Sequence, residues 1–279
     1  MEWRGALGPL CKRLARLSGP AAHRPGAPTS THLHRGDGID WNEPAIARSL
    51  ETLRSFQAEF NLLPAHAEGS SRAYHYENPY FSLVDAAVCH AFVRERQPSV
   101  VIEVGSGYSS RVIRQALDAN GSGRLVSIDP EPRAELKGVA HEFRRQPVQE
   151  IPLAYFEALP ADAILFIDSS HRAGAGSDVN FLFLEVLPSL PPGVLVHVHD
   201  IYLPEDYPAS WNIDEAWGYT EQYLLHALLC HSPAFAITWP GRYCVREHSV
   251  ELSALFATPA LLGLHCSFWF QRTGPTLES

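Results

Sequence analysis

The chain has 279 residues, 46% hydrophobic and 19% charged, with a formal charge of −9. That composition excludes a disordered or fibrous chain and supplies ample material for a core. The acidic balance speaks against a nucleic-acid-binding surface spread over the whole molecule, and no run approaches the roughly 18 apolar residues of a membrane span.

Residues 1–40 read as a basic, proline-rich leader. Residues 1–36 hold six basic side chains and one acid, Glu2. Leu7, Leu10, Leu14 and Leu17 fall near helical spacing, and Pro20, Pro25 and Pro28 then stop any regular element. An organelle-targeting peptide and a flexible leader are both open, with Glu2 against the first. Residues 41–279 read as a single domain with an N-terminal helical extension. Five scattered cysteines form neither a disulfide framework nor paired metal hooks, so a reducing, cytoplasmic setting is expected.

Ile46, Leu50, Leu53, Phe56 and Phe60 recur at three- and four-residue steps, which predicts a surface helix over 43–60. A second helix is expected from Phe81 to Val93. Residues 99–104 form a short apolar run that Gly105, Ser106 and Gly107 end, and a helix is expected from Ser109 to Ala119. Residues 124–128 make a strand ending at Asp129, before Pro130 and Pro132. A weaker strand falls around 146–150. Residues 163–167 end at Asp168, 177–187 are helical, and 194–198 precede His199 and Asp200. A helix over 215–229 follows, then extended segments at 235–246 and 262–272.

Buried strands separated by helices predict an α/β fold: a doubly wound, mostly parallel seven-stranded sheet with an antiparallel C-terminal strand pair. Ligands of such sheets gather beyond the carboxyl ends of the strands. Glu103, Asp129, Asp168 and Asp200 all map there, although Asp168 and Asp200 could each serve as helix caps.

The turn Glu103-Val-Gly105-Ser106-Gly107 lets backbone approach a ligand closely. It lacks the Lys-Ser/Thr ending of a phosphate loop, and Ser110 stands where a dinucleotide fingerprint has its third glycine. Asp129 ends the next strand, where an acid can accept both hydroxyls of a ribose. A ribose held without a pyrophosphate loop points to S-adenosylmethionine, whose cationic groups suit nearby carboxylates such as Glu103.

These motifs carry a resemblance. Ile102-Glu-Val-Gly-Ser-Gly-Tyr-Ser-Ser110 and Val126-Ser-Ile-Asp129 resemble the first two motifs of class I S-adenosylmethionine-dependent methyltransferases. Ile167-Asp-Ser-Ser-His171 and Gly193 to Asp200 resemble a subgroup with small-molecule and sugar O-methyltransferases. The resemblance covers roughly residues 75–272. It implies cofactor contacts from Glu103, Gly105, Ser106, Gly107, Ser110, Asp129 and Asp168. It implies acceptor chemistry at the far strand ends, with His171, His199 and Asp200 as catalytic candidates. Catechol-type relatives bind a divalent metal with two acids at these ends, so Asp168 and Asp200, with His199 or His171 as a third, are candidate ligands for magnesium, manganese, iron or zinc. The amide that follows the second acid in that type is Ile201 here, a departure that bears on a magnesium site. A metal-free alternative uses His171 or His199 as the base, oriented by Asp168 or Asp200. Aromatic residues of 201–208, with Trp211, Trp217, Tyr74, Tyr76 and Tyr80, are expected around the acceptor.

The expected function is methyl transfer to an oxygen of a small molecule or glycoside, with no nucleic-acid or membrane partner and a homo-oligomer left open. A non-methylating metal-dependent enzyme on the same scaffold and a non-catalytic binding subunit are the alternatives.

Overall fold

A computed structural model describes residues 36–66, 73–132, 138–208, 211, 217–256, 262–263 and 265–274. The expected leader helix lies outside the described residues.

Seven strands form one sheet in the order β3-β2-β1-β4-β5-β7-β6. They are β1 (Val100–Val104), β2 (Arg124–Ile128), β3 (Glu142–Arg144), β4 (Ile164–Ile167), β5 (Leu195–Val198), β6 (Phe235–Pro240) and β7 (Phe268–Arg272). Neighbours pair in parallel from β3 across to β5, and β7 runs antiparallel between β5 and β6. This is the doubly wound sheet and C-terminal antiparallel pair that the alternating pattern predicts.

Strand alternation divides the core between two faces. Val101, Ile164, Phe166 and Trp269 point into one layer, with α1 (Glu43–Phe60), α2 (Leu83–Arg96) and α3 (Tyr108–Asn120) packed on it. Ile102, Leu165, Val196 and Phe270 point into the other. That second layer is closed by α4 (Leu153–Glu157), by the helical run of α5 (Asp178–Phe181), a π-helical turn (Leu182–Val186) and α6 (Leu187–Ser189), and by α7 (Glu221–Leu229). The sheet is thus buried on both sides, which is why its central strands read as continuous apolar runs.

Four expectations are corrected. The weak strand lies at Glu142–Arg144, and Val148–Glu150 is a 3-10 turn. Pro147 has no N–H to donate to a ladder, so pairing stops before it. The segment 235–246 is extended only to Pro240; α8 (Gly241–Glu247) and α9 (Ser249–Leu255) follow. Pro240 is opposite Phe268, the first residue of β7, so no partner strand remains beyond it. Likewise, among the described residues of 262–272 only Phe268–Arg272 is strand, and α7 begins at Glu221 rather than near 215.

Candidate functional site

The turn after β1 is held in shape from both sides. Gly105 has φ +80, and a Cβ there would stand 1.9 Å from the Asp168 carbonyl oxygen, so only glycine fits where β1 passes β4. Gly107 is in extended backbone, and nothing lies within 4 Å of where its Cβ would be. Its N–H donates to Ser110 Oγ at 3.0 Å, which secures the entry to α3. Glu103 is fully buried behind this turn, where Ser109, Ser110 and Ser127 each donate a hydroxyl to its carboxylate at 2.8, 2.7 and 2.6 Å. Burial pushes the Glu103 carboxyl up to about 7, against the pull of the three hydroxyls.

Asp129 stands in front of the turn. Its carboxylate accepts from Ser106 Oγ at 2.6 Å and from the Glu131 N–H at 2.8 Å. Gly105, Ser106, Asp129, Gln149, Asp168 and Ser169 are among the residues lining a cleft of about 360 Å³. Asp168 also borders a smaller hollow with Tyr80, Gly107 and Tyr108.

Beyond Asp168 the chemistry changes. His171 Nε2 is 3.2 Å from Asp168 and 3.8 Å from Asp200; His199 Nδ1 is 3.7 Å from Asp168 and 3.4 Å from Asp200. The outer nitrogens have carboxylates of their own: Glu221 on His171 Nδ1, and Asp85 3.6 Å from His199 Nε2. Burial works to raise the Asp168 carboxyl, but the charge of His199 and the hydrogen bond from His171 outweigh it and hold it well below its usual range. Burial likewise opposes charging of His171, and the charge of Glu221 and the hydrogen bond to Asp168 overcome it, raising the imidazole to about 10. Two backbone positions here are left-handed without being glycine, His171 at φ +60 and Asp200 at φ +57.

A family model described as a methyltransferase domain matches residues 102–201, the stretch from the glycine turn through Asp168 to Asp200. The matched stretch is little more than a third of the chain. An uncharacterized protein of Archaeoglobus fulgidus is 28% identical over 137 residues, covering 46% of this chain; the chain spans 61% of that relative's length. Among solved structures, the O-methyltransferase TomG from Streptomyces achromogenes is similar at 20% identity and TM-score 0.43, over 85% of this chain and 92% of that one. An O-methyltransferase from Bacillus cereus is similar at 15% identity and TM-score 0.41, over 81% and 91%.

Within the matched residues 102–201, the predicted residues separate by position. Gly105, Ser106, Asp129 and Asp168 line the cleft, and Gly107 lines the adjoining hollow. Glu103 and Ser110 are turned inward and bonded to each other. His171, His199 and Asp200 do gather around Asp168. His197 is buried, and its Nε2 lies 3.0 Å from Ser267 Oγ; burial lowers its pKa. Asp178 accepts from the Ser170 N–H and hydroxyl and so shapes the loop after β4.

Four residues outside the segment complete the arrangement, and none was among the predicted site residues. Asp85 Oδ1 accepts from His265 Nδ1 at 2.6 Å and from the N–H groups of Cys266 and Ser267 at 3.1 and 2.9 Å. The Cys266 thiol, which burial pushes up to about 12, donates to Asp200 at 3.1 Å. Among the described residues, Asp85, His199 and Cys266 are the group whose donor atoms all lie within 4.8 Å of one another. It shares only His199 with the predicted metal set. Glu221, the fourth, is fully buried at the start of α7.

The aromatic residues expected around an acceptor mostly pack on one another. Tyr202, Tyr207 and Trp211 are buried in a cluster with Cys266 that Trp217 and Tyr219 flank, and the Tyr219 ring lies 4.4 Å from the His171 ring. Tyr74 and Asn78 are spent on the turn before α2, where both donate to the Phe81 carbonyl at 2.9 Å. Tyr80 stays exposed beside Tyr108.

Proposed function

We propose that this protein transfers a methyl group from S-adenosylmethionine to an oxygen of a small molecule or glycoside, with residues 41–279 acting as one unit. The observation that carries the reading is the continuous run from Asp129 through the glycine turn to Asp168, along a single cleft. Asp129 is placed to accept the ribose hydroxyls, exchanging its bond from Ser106 for them. The open space at Gly107 admits the cofactor's backbone-hugging end. Glu103 acts from behind, as the anchor that three serines hold under the turn.

S-adenosylmethionine supplies an electrophilic methyl group on a sulfonium; the chain supplies position and proton control. At the Asp168 end, the metal-free form has His171 or His199 take the acceptor proton, with Asp168 and Asp200 orienting the ring; the carboxylates around both imidazoles raise them, so the neutral ring this needs is reached at alkaline pH. In the metal-assisted form, Asp168, His199 and Asp200 would hold a divalent ion, and the ion would supply Lewis-acid acidification of the acceptor oxygen. The donor chemistry fits an ion that accepts nitrogen, since buried Ile201 replaces the amide of the catechol type. The cysteines among the described residues, Cys89, Cys230, Cys244 and Cys266, are free thiols, which supports a cytoplasmic setting. Among the described residues no helix is long and apolar enough to cross a membrane.

Calorimetric titration of metal-stripped protein with S-adenosylmethionine tests the reading. Saturable binding of one cofactor per chain is expected. Absence of binding, with and without added manganese, would overturn it in favour of a different chemistry on this scaffold.

A further inference from the structure

The carboxyl ends of the strands carry the candidate site, and a second hollow lies at the other end of β5. It measures about 530 Å³, against about 360 Å³ for the cleft, a size that suits a small molecule. Its floor is Leu195, the first residue of β5, with Gln271 opposite it on β7 and Ala236 opposite Gln271 on β6. Ala45 and Ser49 of α1 form one wall, and the last turns of α2, from Phe92 to Arg96, form the other. Elsewhere α1 fills its contact with the core through Ile46, Leu50 and Leu53. Here its inward side chains are short, and short side chains leave the gap between helix and sheet unfilled. The helix is also pinned beside the gap. Asn42 Nδ2 donates to the Ile237 carbonyl at 2.7 Å, and Ser49 Oγ to the Thr238 carbonyl at 3.1 Å, which ties α1 to β6 and holds the hollow open.

The charges on this hollow are not balanced within the chain. Arg96 Nε donates to the Asp162 carbonyl at 2.9 Å, and its Nη2 donates to the carbonyls of Ala161, at 2.6 Å, and Gly193. Carbonyls orient a guanidinium without cancelling its charge. Burial works against that charge more than Asp162 supports it. Arg48 lines the hollow from α1, and among the described residues no carboxylate stands within 4.0 Å of either guanidinium. Glu95, between them in the lining, has one oxygen taken by the Thr52 hydroxyl at 2.7 Å. Two arginines against one glutamate leave the hollow positive, in a chain whose net charge is −9.

We propose that this hollow is a second binding site, for an organic anion whose carboxylate or phosphate is held by Arg48 and Arg96 and whose apolar body lies against Phe92 and Leu195. A guanidinium fork matches either head group, and the pinned walls spare the ligand the cost of ordering them. The site shares no residue with the cleft, so it stands apart from the methyl-transfer reading.

The test titrates the full chain with phenyl phosphate and, separately, with benzoate, followed by ¹H–¹⁵N NMR. Saturable shifts at Ala236, Thr238 and Gln271 are expected, while the glycine turn at 105–107 stays where it was. The tighter of the two probes names the head group, and inorganic phosphate binds more weakly than phenyl phosphate. Saturating S-adenosylmethionine leaves the probe affinity unchanged. Arg48→Ala, at an exposed position that folding does not depend on, weakens the probe about 10-fold, the lower end for hydrogen bonds to a charged group. Ala236→Leu, which fills the floor and keeps both arginines, weakens it too. The wild-type shifts need no variant to fold. No saturable response to either probe would overturn the proposal. So would displacement by S-adenosylmethionine, which moves the probe to the cleft, or unchanged affinity in Arg48→Ala. Equal affinity for inorganic and phenyl phosphate would reduce the hollow to surface charge and would overturn it as well.

Discussion

Glu103 and Asp168 stand at the ends of neighbouring strands, β1 and β4, yet the surroundings of their carboxylates are opposite. Glu103 is enclosed by three neutral hydroxyls, and burial carries it up to about 7. Asp168 faces two imidazoles and is held well below the usual carboxylate range, although burial pushes the other way. The difference divides the sheet end into two halves. On the β1–β2 side one acid is spent holding a turn in shape behind the cleft that Asp129 and the turn line. On the β4–β5 side the acids face charge, so their partners are a proton, a cation or a polar substrate.

The charged half depends on a residue that is not at a strand end. Asp85 sits in the first turn of α2 and joins β7's approach, at 265–267, to His199. Asp85→Ala leaves His265 and two backbone N–H groups without their acceptor in a dry interior. Breaking such a buried pair costs about 3–5 kcal/mol, the largest effect expected here. Urea unfolding monitored by circular dichroism measures it. A loss below about 1 kcal/mol would mean that water readily replaces Asp85 and that the two halves are not differently built.

Glu103 sharpens the contrast through pH. Its folded pKa of about 7 lies above the ordinary carboxyl value of 4.5, so its contribution is fully present below about 4.5 and is lost as pH rises through 7. At pH 8 the buried charge costs at most about 3 kcal/mol, taking 1.36 kcal/mol for each pKa unit. Glu103→Gln should therefore unfold more easily than the parent at pH 5 and less easily at pH 8. Parallel denaturation curves at both values would show that the serine cage fully solvates the carboxylate, contrary to the burial argument.

Asp129 tests the other half with a binding readout. Hydrogen bonds to a charged acceptor are worth about 1.5–3 kcal/mol, so Asp129→Ala should weaken S-adenosylmethionine roughly 10- to 100-fold. The melting temperature of the unliganded protein should move little, because the bonds lost are those from Ser106 and the Glu131 N–H, near the surface. Equal affinity in the variant would remove Asp129 from the cofactor site.

The same division governs what can be read from the chain alone. The β1–β2 half is local: an apolar run, a glycine turn and an acid at the next strand end fall within Val100–Asp129, and the observed strands begin and end within a residue of the periodicity. The strand ends at Asp168 and Asp200 are legible for the same reason. What surrounds them is not. Glu221 reaches His171 across 50 positions, and Asp85 meets His265 across 180, so no spacing announces either pair. The edges of the sheet misled for a physical reason as well. The reading of 235–246 as extended runs past Pro240, but an edge strand ends when its partner does, and β7 offers nothing opposite residue 241.

One part of the distant network does have a local signature, and it yields the smallest predicted effect. Ser82 caps α2: its Oγ accepts the Asp85 N–H at 3.2 Å and donates to Asp85 Oδ2 at 2.6 Å. A hydroxyl three residues before an acid is the pattern of a helix start. Ser82→Ala removes the cap, for about 1 kcal/mol of stability. It also frees one lone pair of Asp85 that faces His199. If Asp85 only anchors the 265–267 backbone, the variant loses stability and nothing else. If Asp85 also orients His199, the His199 ring nitrogens shift in ¹⁵N NMR spectra of the variant, while the chemical shifts of the glycine turn stay where they were.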